Sequence, residues 1–315
     1  MNTQVKTYLV SGGLGHIGSS LINKLLGSGH RVIVVDDLST QRFSSLFGKF
    51  HNKNFYFIND TLQSKLVVHE IKKILDKTSN NLDAVVHLAA QTNAADSFDR
   101  EAELKKNNIE ATHAAIDISN AANCTLVYPS STSVYGENSD RVTEKSIVNP
   151  QSPYAESKIV EEKLVFENSS MPIILRLGTI AGPSTGMRFH TAVNSFVWKS
   201  IIGQPVTIWT TAYDQKRPYL CLSDALNALE HSLSSKTQRG ETYNVLTENS
   251  TPRAICEMIT EITGKFEIKF VDNRIMNQLS YEVSAEKFRQ TGYAATSNLR
   301  VAIGDTIEFL KNNKH

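Results

Sequence analysis

The sequence predicts an α/β fold in which a doubly wound parallel sheet is followed by a smaller mixed α/β region. Strand-like and helix-like segments alternate from Thr7 to Leu175, and a glycine-rich turn joins the first strand to the first helix. The alternation stops after Gly182-Pro183. Such alternation is typical of parallel strands with helices on both faces of the sheet.

The first half of the chain supplies the elements of that sheet. Apolar runs predict strands at residues 7–10, 31–35, 55–58, 84–88, 125–128 and 173–175. Helix-periodic segments predict helices at residues 17–26, 65–75, 101–121 and 154–166. We therefore place one domain at residues 1–180.

The second half has a different rhythm. Gly, Ser, Thr and Pro cluster at residues 182–186, which predicts a crossing into a second domain at 181–315. We expect helices at 188–203 and 223–233, strands at 243–246 and 267–271, and a mobile polar segment at 210–215. The packing of 219–248 stays open, since this segment can return to the first sheet.

Composition excludes several classes of protein. A net charge of +1 argues against a nucleic-acid partner, and no apolar run is long enough for a membrane helix or a signal peptide. Three separated cysteines without CxxC spacing predict reduced thiols in a cytoplasmic protein. The nine histidines form no ligand pair at helical or hairpin spacing, so we expect no metal.

Glycines at 12, 15 and 18 predict a dinucleotide site. Glycine allows the turn, lets a pyrophosphate approach backbone amides, and lets helix and strand pack closely. The helix N-terminus then attracts the phosphate charge. A glycine cluster alone is often only a loop, but this one links a strand to a helix, as a Rossmann-type domain requires.

Asp36 indicates the type of dinucleotide. It ends the second strand, where a carboxylate can accept hydrogen bonds from both adenosine ribose hydroxyls and repel a 2′-phosphate. We therefore predict NAD rather than NADP, with a turn-forming Asp36-Asp37 pair as the alternative. Asp60, after the third strand, is either an adenine contact or a helix cap before Leu62.

Tyr154 and Lys158 lie one helical turn apart, on the same face of the predicted helix. Of the ten tyrosines, only this one has lysine at the fourth following position. A lysine charge beside a phenol favours the phenolate and makes it a usable base. The alternative is an ordinary solvated helix face.

With these residues in place, the chain resembles an extended short-chain dehydrogenase/reductase. More closely, it resembles the NAD-dependent nucleotide-sugar epimerase/dehydratase family, with likeness to UDP-glucose 4-epimerases. The matching segments, in order, are His87-Leu88-Ala89-Ala90-Gln91, Asn108–Thr112, Ser130–Gly136, Pro150–Tyr154, Arg176–Pro183 and Arg217-Pro218-Tyr219 followed by Asp224. Their joint occurrence in order is specific to the family.

The resemblance implies a role for each matched residue. Ser131 matches the catalytic serine or threonine, Tyr154 the general acid/base, and Lys158 the residue that binds the nicotinamide ribose. The expected cofactor contacts are Gly12, Gly15, His16, Ile17, Gly18, Asp36, Asp37, Leu38, Asp60, Thr61, Leu88, Ala89, Ala90, Gln91, Asn108, Tyr154 and Lys158. The expected substrate contacts are Ser131, Thr132, Thr179, Asn194, Arg217 and Arg274, where the arginines would clamp a pyrophosphate.

The chain also departs from parts of the family pattern. Thr132-Ser133 stand where 4,6-dehydratases carry Asp-Glu, so dehydration is disfavoured. Thr179 replaces a common Asn, Pro218 a common Asp and Cys221 a common His, which leaves the sugar open. The position that admits N-acetyl sugars falls near Ser280-Tyr281.

The resemblance implies an enzyme of carbohydrate biosynthesis that acts on a nucleoside diphosphate sugar. Our leading hypothesis is a nucleotide-sugar 4-epimerase that works through a transient 4-keto sugar. The alternative is a C4 dehydrogenase or reductase with net release of product, and a third reading is a non-catalytic NAD sensor. Family likeness also implies a homodimer, with contact faces on the helices near 95–120 and 154–168.

Overall fold

The computed structural model describes residues 4–92, 101–136, 141–234, 238–272 and 281–312. In these ranges no helix has both the length and the apolar character that a membrane crossing needs.

Strands and helices alternate along most of the chain. The strands are β1 (Thr7–Ser11), β2 (Arg31–Val35), β3 (Phe55–Ile58), β4 (Ala84–His87), β5 (Thr125–Ser131), β6 (Arg141–Val142), β7 (Pro172–Leu177), β8 (Thr179–Ala181), β9 (Val206–Trp209), β10 (Arg217–Cys221), β11 (Glu241–Val245), β12 (Glu248–Ser250), β13 (Ile268–Val271) and β14 (Glu282–Val283). The helices are α1 (His16–Gly27), α2 (Lys65–Thr78), α3 (Glu101–Ala121), α4 (Pro153–Asn168), α5 (Ala192–Ile201), α6 (Leu222–Ser234), α7 (Pro252–Thr263), α8 (Glu286–Arg289) and α9 (Leu299–Asn312).

The main sheet has seven strands in the order β11-β7-β5-β4-β1-β2-β3, and every pairing in it is parallel. The chain builds outward from β1 to β3 and then returns to the other side of β1 with β4. Strand order therefore reverses between β1 and β4, and ligands of such sheets bind outside the carboxyl ends of the strands at this point. The predicted doubly wound α/β fold is confirmed.

Helices cover both faces of this sheet. Neighbouring residues of β1 show the alternation, since Leu9 packs with α2, α3 and α4 while Val10 packs with α1 and α6. Strands buried on both faces must be apolar at every position, and this explains why the strands read as continuous apolar runs.

Strands outside the main sheet form a second unit, which contains a small mixed sheet, β12-β10-β8, and the parallel pair β9-β13. Helices α5, α7 and α9 pack there on a core that includes Val197, Ile255 and Ile303. The open question about 219–248 has a divided answer: β10 lies in the small sheet, whereas β11 pairs with β7 and completes the main sheet.

One local expectation differs from the structure. Asp60 does not cap a helix before Leu62, because α2 begins at Lys65 after Ser64 and the Asp60 side chain accepts a hydrogen bond from the Thr61 amide. The polar segment 210–215 begins with a 3₁₀ turn, and Asp214 pairs with Arg253 at the surface; the mobility of this segment stays a prediction.

A largely buried ion pair joins α4 to β7. The Arg176 guanidinium contacts the Glu162 carboxylate at 2.6 Å and also donates to the Tyr135 hydroxyl at 2.9 Å. Both charged side chains are only 10% exposed. Removing one partner of such a pair leaves the other charge buried and uncompensated.

We predict that Arg176→Met lowers the free energy of unfolding by about 3–5 kcal/mol, measured by urea denaturation. Arg300→Met is the matched control, since Arg300 pairs with Glu261 where both side chains are 56% exposed. Its cost should stay below about 1 kcal/mol. Equal small losses in both variants would contradict the buried pair.

Candidate active site

A cavity of about 560 Å³ lies at the carboxyl ends of the central strands. Its wall includes Gly12 after β1, Leu88 after β4 and Ser131 at the end of β5. The second unit closes it with residues such as Trp209 and Arg217. A cleft at the reversal of strand order is where this fold class binds its ligands.

The glycine loop is a backbone cradle at one end of the cavity. Gly12 has φ +63°, and a Cβ there would lie 2.5 Å from the Ala89 nitrogen. A Cβ on Gly18 would lie 2.6 Å from the Gly13 oxygen, so α1 can pack this closely only without a side chain. Gly15, the residue before α1, faces the cavity together with His16 and Ile17. These features fit a dinucleotide pyrophosphate at a helix N-terminus.

The Asp36 carboxylate is built into the same loop. Its two oxygens accept hydrogen bonds from the Leu14 and Leu38 amides, each at 3.0 Å. Burial raises the pKa of Asp36, and the two amides act against that shift. Asp37 instead accepts from the Ser39 amide and shapes the turn. Asp36 and Asp37 thus both accept hydrogen bonds from backbone amides of this turn, and a contact between Asp36 and the adenosine ribose stays a prediction.

His16 connects the start of α1 to the second unit. Its Nε2 lies 2.8 Å from the Gly182 oxygen, and burial lowers its pKa to about 4. The imidazole is therefore neutral at physiological pH and donates to that carbonyl. Gly182 is also braced by Asn194, whose side-chain amide bonds to both its backbone nitrogen and oxygen. Asn194 therefore positions the wall of the cavity and does not appear among its lining residues.

The side chain of Asn108 also forms hydrogen bonds with the backbone. Its Oδ1 accepts from the Gln91 amide at 2.9 Å, and its Nδ2 donates to the Gln91 oxygen at 3.2 Å. These bonds hold the loop that follows β4, in which Leu88 and Ala90 line the cavity and Ala89 contacts the glycine loop. The structure thus brings the predicted cofactor residues of 88–91 and 108 together as one unit.

Tyr154 and Ser131 face the same cavity from α4 and β5. The first turn of α4 is fixed by Ser152, whose hydroxyl accepts from the Ala155 amide, and by Pro153 at the first helical position. Ser131 accepts from the Ser133 amide at 3.2 Å. Both hydroxyls are therefore carried on regular elements with capped ends, and this gives them fixed directions.

Lys158 lines the cavity, and its ammonium lies below the ring of Tyr154. The Lys158 nitrogen donates to the Tyr128 hydroxyl at 2.8 Å and to Glu161 at 3.1 Å. It lies 6.0 Å from the centre of the Tyr154 ring. The sequence pattern found the Tyr154–Lys158 pair but missed Tyr128 and Glu161, the partners that hold the ammonium.

The opposite wall carries the predicted substrate residues. Arg217 has two buried guanidinium nitrogens, Nε and one terminal nitrogen, with no partner among the described residues. Thr179 faces the cavity, as do Thr132 and Tyr281, which share a side-chain hydrogen bond. The predicted contact Arg274 and the gate position Ser280 lie outside the described residues.

Two further arginines lie near the glycine loop. Burial lowers the pKa of Arg188 to about 10, and the nearby Arg42 guanidinium acts in the same direction. An Arg42 nitrogen would be 3.6 Å from a Cβ on Gly15, and Arg188 lines the cavity. Sequence analysis missed both, because each reaches the site from a loop without a recognisable motif.

The segment after β8 packs directly against the glycine loop. A Cβ on Gly186 would lie 2.3 Å from the Leu14 oxygen, and the Gly186 amide donates to the Ser19 hydroxyl. The Gly/Ser/Thr/Pro cluster at 182–186 had signalled only a domain crossing.

A glycine loop held by the Asp36 carboxylate and a Tyr–Lys helix at the same cleft agree with a direct family match. The model of the NAD dependent epimerase/dehydratase family matches residues 8–245. The chain belongs to this family. It is therefore an NAD-dependent enzyme, and the family, the cofactor and the enzymatic nature expected from the sequence are confirmed.

Relatives of the chain carry out more than one reaction. One relative is a trifunctional UDP-glucose 4,6-dehydratase/UDP-4-keto-6-deoxy-D-glucose 3,5-epimerase/UDP-4-keto-L-rhamnose-reductase of Arabidopsis thaliana. The present chain is 26% identical to it, over 98% of this chain and 47% of that protein. It is 27% identical to dTDP-D-glucose 4,6-dehydratase of Bos taurus, over 98% of this chain and 90% of that protein. The chain thus spans about half the length of the plant relative.

A solved structure of similar architecture is the UDP-glucuronic acid 4-epimerase of Bacillus cereus in complex with UDP-glucuronic acid and NAD. It has a TM-score of 0.84 and 25% identity, over 97% of this chain and 99% of that one. Both 4-epimerases and 4,6-dehydratases therefore occur among the similar proteins, and the choice between them depends on the site.

We predict that Gly18→Ala weakens NAD binding at least about tenfold, or about 1.4 kcal/mol, by calorimetric titration. The added methyl group would displace the start of α1 from Gly13. Gly27→Ala is the control on the same helix, because nothing lies within 4 Å of a Cβ there. Equal affinities in the two variants would contradict the cradle.

Proposed function

We propose that the protein is an NAD-dependent nucleotide-sugar 4-epimerase that acts through a transient 4-keto sugar. The observation that carries this proposal is the charge pattern of the cavity. Tyr154 and Ser131 face it on one side and the unpaired nitrogens of Arg217 on the other, and no described residue that lines it is Asp or Glu. Cations without carboxylates suit a cavity for two pyrophosphates.

Tyr154 is the proposed acid/base. Its phenolic oxygen takes the proton of the sugar 4-hydroxyl and later returns it, while Ser131 bonds to the same oxygen and fixes its direction. Bound NAD supplies the reversible two-electron oxidation at that carbon. Lys158, on the same wall, supplies a positive charge that favours the phenolate.

Arg217 is the proposed pyrophosphate clamp. A guanidinium with two buried, unpaired nitrogens costs free energy unless a ligand accepts those hydrogen bonds. Phosphate oxygens can accept them in pairs, which also fixes the direction of the nucleotide. The contact holds the sugar end of the ligand toward Tyr154.

The same residues argue against dehydration. Eliminating water from the sugar needs a second acid/base pair beside the serine, and the side chains following Ser131 are the hydroxyls of Thr132 and Ser133. Thr132 donates to the Leu177 oxygen.

The runner-up is a C4 dehydrogenase or reductase that releases its product. An epimerase must keep NAD through both half-reactions, and the packing of residues 182–186 on the glycine loop supports retention of the cofactor. The distinguishing experiment incubates the protein with UDP-, GDP- and dTDP-sugars and follows both sugar products and NADH absorbance. Interconversion of 4-epimers without free NADH supports the epimerase, whereas stoichiometric NADH in solution contradicts it.

We predict that Tyr154→Phe lowers kcat by about 10²–10⁴-fold while the Kd for NAD stays within about twofold, because the variant loses only the phenolic hydroxyl that transfers the proton. Tyr56→Phe, a hydroxyl deletion on β3 away from the cavity, should keep wild-type turnover. Unchanged turnover in Tyr154→Phe would disprove the assignment of Tyr154 as the base.

A further inference from the structure

A buried carboxylate lies directly behind the catalytic lysine. The Lys158 and Glu161 side chains are 4% and 0% exposed, and they form an ion pair at 3.1 Å. Tyr128 on β5 bridges the two: its hydroxyl accepts from the ammonium at 2.8 Å and donates to the carboxylate at 2.5 Å. Nothing in the i, i+4 spacing of Tyr154 and Lys158 requires this pair.

The surrounding hydrogen bonds all direct protons toward Glu161. Ser157 donates to one oxygen at 2.6 Å, and Thr112 donates to the other at 3.3 Å. Because the Thr112 proton is used there, its oxygen must accept from His87 Nε2 at 3.2 Å. His87 Nδ1 then accepts from the Ser11 hydroxyl at 2.7 Å.

This direction agrees with the charge of the histidine. Burial lowers the pKa of His87 to about 4, so the ring is neutral and has one proton to give. A carboxylate that receives four donors, one of them a cation, is held in its ionised form. Glu161 is therefore a fixed negative charge beneath the active site.

The ion pair decides the charge of the lysine. Burial is the largest single influence and would lower the pKa of Lys158, but Glu161, with smaller contributions from Tyr154 and Glu162, outweighs burial and the pKa is raised. For Glu161, burial alone would raise the pKa, and the Lys158 charge with the bonds from Ser157 and Tyr128 lowers it. Each group keeps the other ionised where neither would be stable alone.

We propose that Glu161 is a positioning residue that, with Tyr128, fixes the Lys158 ammonium below Tyr154 and thereby sets the pH range in which the tyrosine works as a base. It touches neither ligand and acts only through Lys158. The inference rests on the proposed function in one respect, the assignment of Tyr154 as the base.

Other charged or titratable groups also face this assembly. Glu162 acts on Lys158 from α4 but is occupied by Arg176, and Arg188 acts on the Tyr154 hydroxyl from the second unit. Those that remain unchanged in the test are His87 on β4, Tyr128 on β5, Glu162 on α4, Arg176 on β7, Arg188 after β8 and Tyr281 before β14.

The test variant is Glu161→Gln, which keeps the shape and removes the charge. The buried Lys158 then loses its proton more easily, and a neutral amine no longer favours the phenolate. The acid limb of the kcat–pH profile should move up by about one pH unit or more. An acid limb that stays in place, or moves down, would overturn the proposal.

Two controls separate positioning from general damage. Ser157→Ala removes another hydrogen bond to the same carboxylate but no charge, so its profile should match the wild type. Glu161→Asp keeps the charge and should restore most of the wild-type acid limb. A merely structural role for Glu161 would lower activity without moving the limb in any of these variants.

A second measurement does not require turnover. The tyrosinate absorbance of each protein, minus that of its Tyr154→Phe counterpart, gives the titration of Tyr154 itself. Glu161→Gln should shift this titration to higher pH in the wild-type background and leave it unchanged in a Lys158→Met background. A shift in the Lys158→Met background would show that Glu161 acts independently of Lys158 and would refute the proposal.

The Lys158→Met comparison also covers a folding failure of Glu161→Gln alone, because the double variant Lys158→Met/Glu161→Gln contains neither buried charge. Its two members should titrate alike. If no sugar is turned over, the proposed function fails, whereas the titration still decides the role of Glu161.

Discussion

The reversal of strand order between β1 and β4 is the constraint on which the site depends. β1 and β4 run parallel, but the connections that follow them lead to opposite sides, so the carboxyl ends of the two strands border a cleft that no connection crosses. The residues after β1, β4 and β5 supply the glycine loop, the 88–91 loop and Ser131. The second unit only has to close this cleft, and it does so through Arg217 and the segment that packs on the glycine loop.

Charge is distributed across this cleft in a way that matches its proposed chemistry. The lining contains Lys158, Arg188 and Arg217 and, among the described residues, no carboxylate. Glu161, on the same helix as Tyr154, is a buried carboxylate that bonds to both Lys158 and Tyr128. Anionic ligands thus meet unopposed cations in front, while the lysine keeps a counter-ion behind.

Local patterns in the sequence predicted much of this arrangement. Apolar runs predicted the strands of the main sheet because those strands are buried on both faces. The glycine spacing predicted the loop because nearby backbone leaves no room for side chains at those positions. The Tyr154–Lys158 pair follows from helical geometry alone. These features depend on residues that are close in sequence.

The missed features depend on distant residues. Tyr128 meets Lys158 across 30 positions, and Gly186 meets Leu14 across the two units. Asn108 and Asn194 are expected to contact the ligands. In the structure, however, their side-chain amides form hydrogen bonds with the backbone of Gln91 and Gly182. The return of β11 to the main sheet was likewise undetermined, because a short apolar strand fits either sheet equally well.

The most direct measurement of the central claim is a crystal structure with NAD and a nucleoside diphosphate sugar that the protein turns over. The account predicts the Tyr154 oxygen within about 2.6–3.2 Å of the sugar 4-hydroxyl, with that carbon against the nicotinamide ring and the pyrophosphate on Arg217. A sugar whose 4-hydroxyl faces away from Tyr154, or a pyrophosphate bound elsewhere, would contradict it.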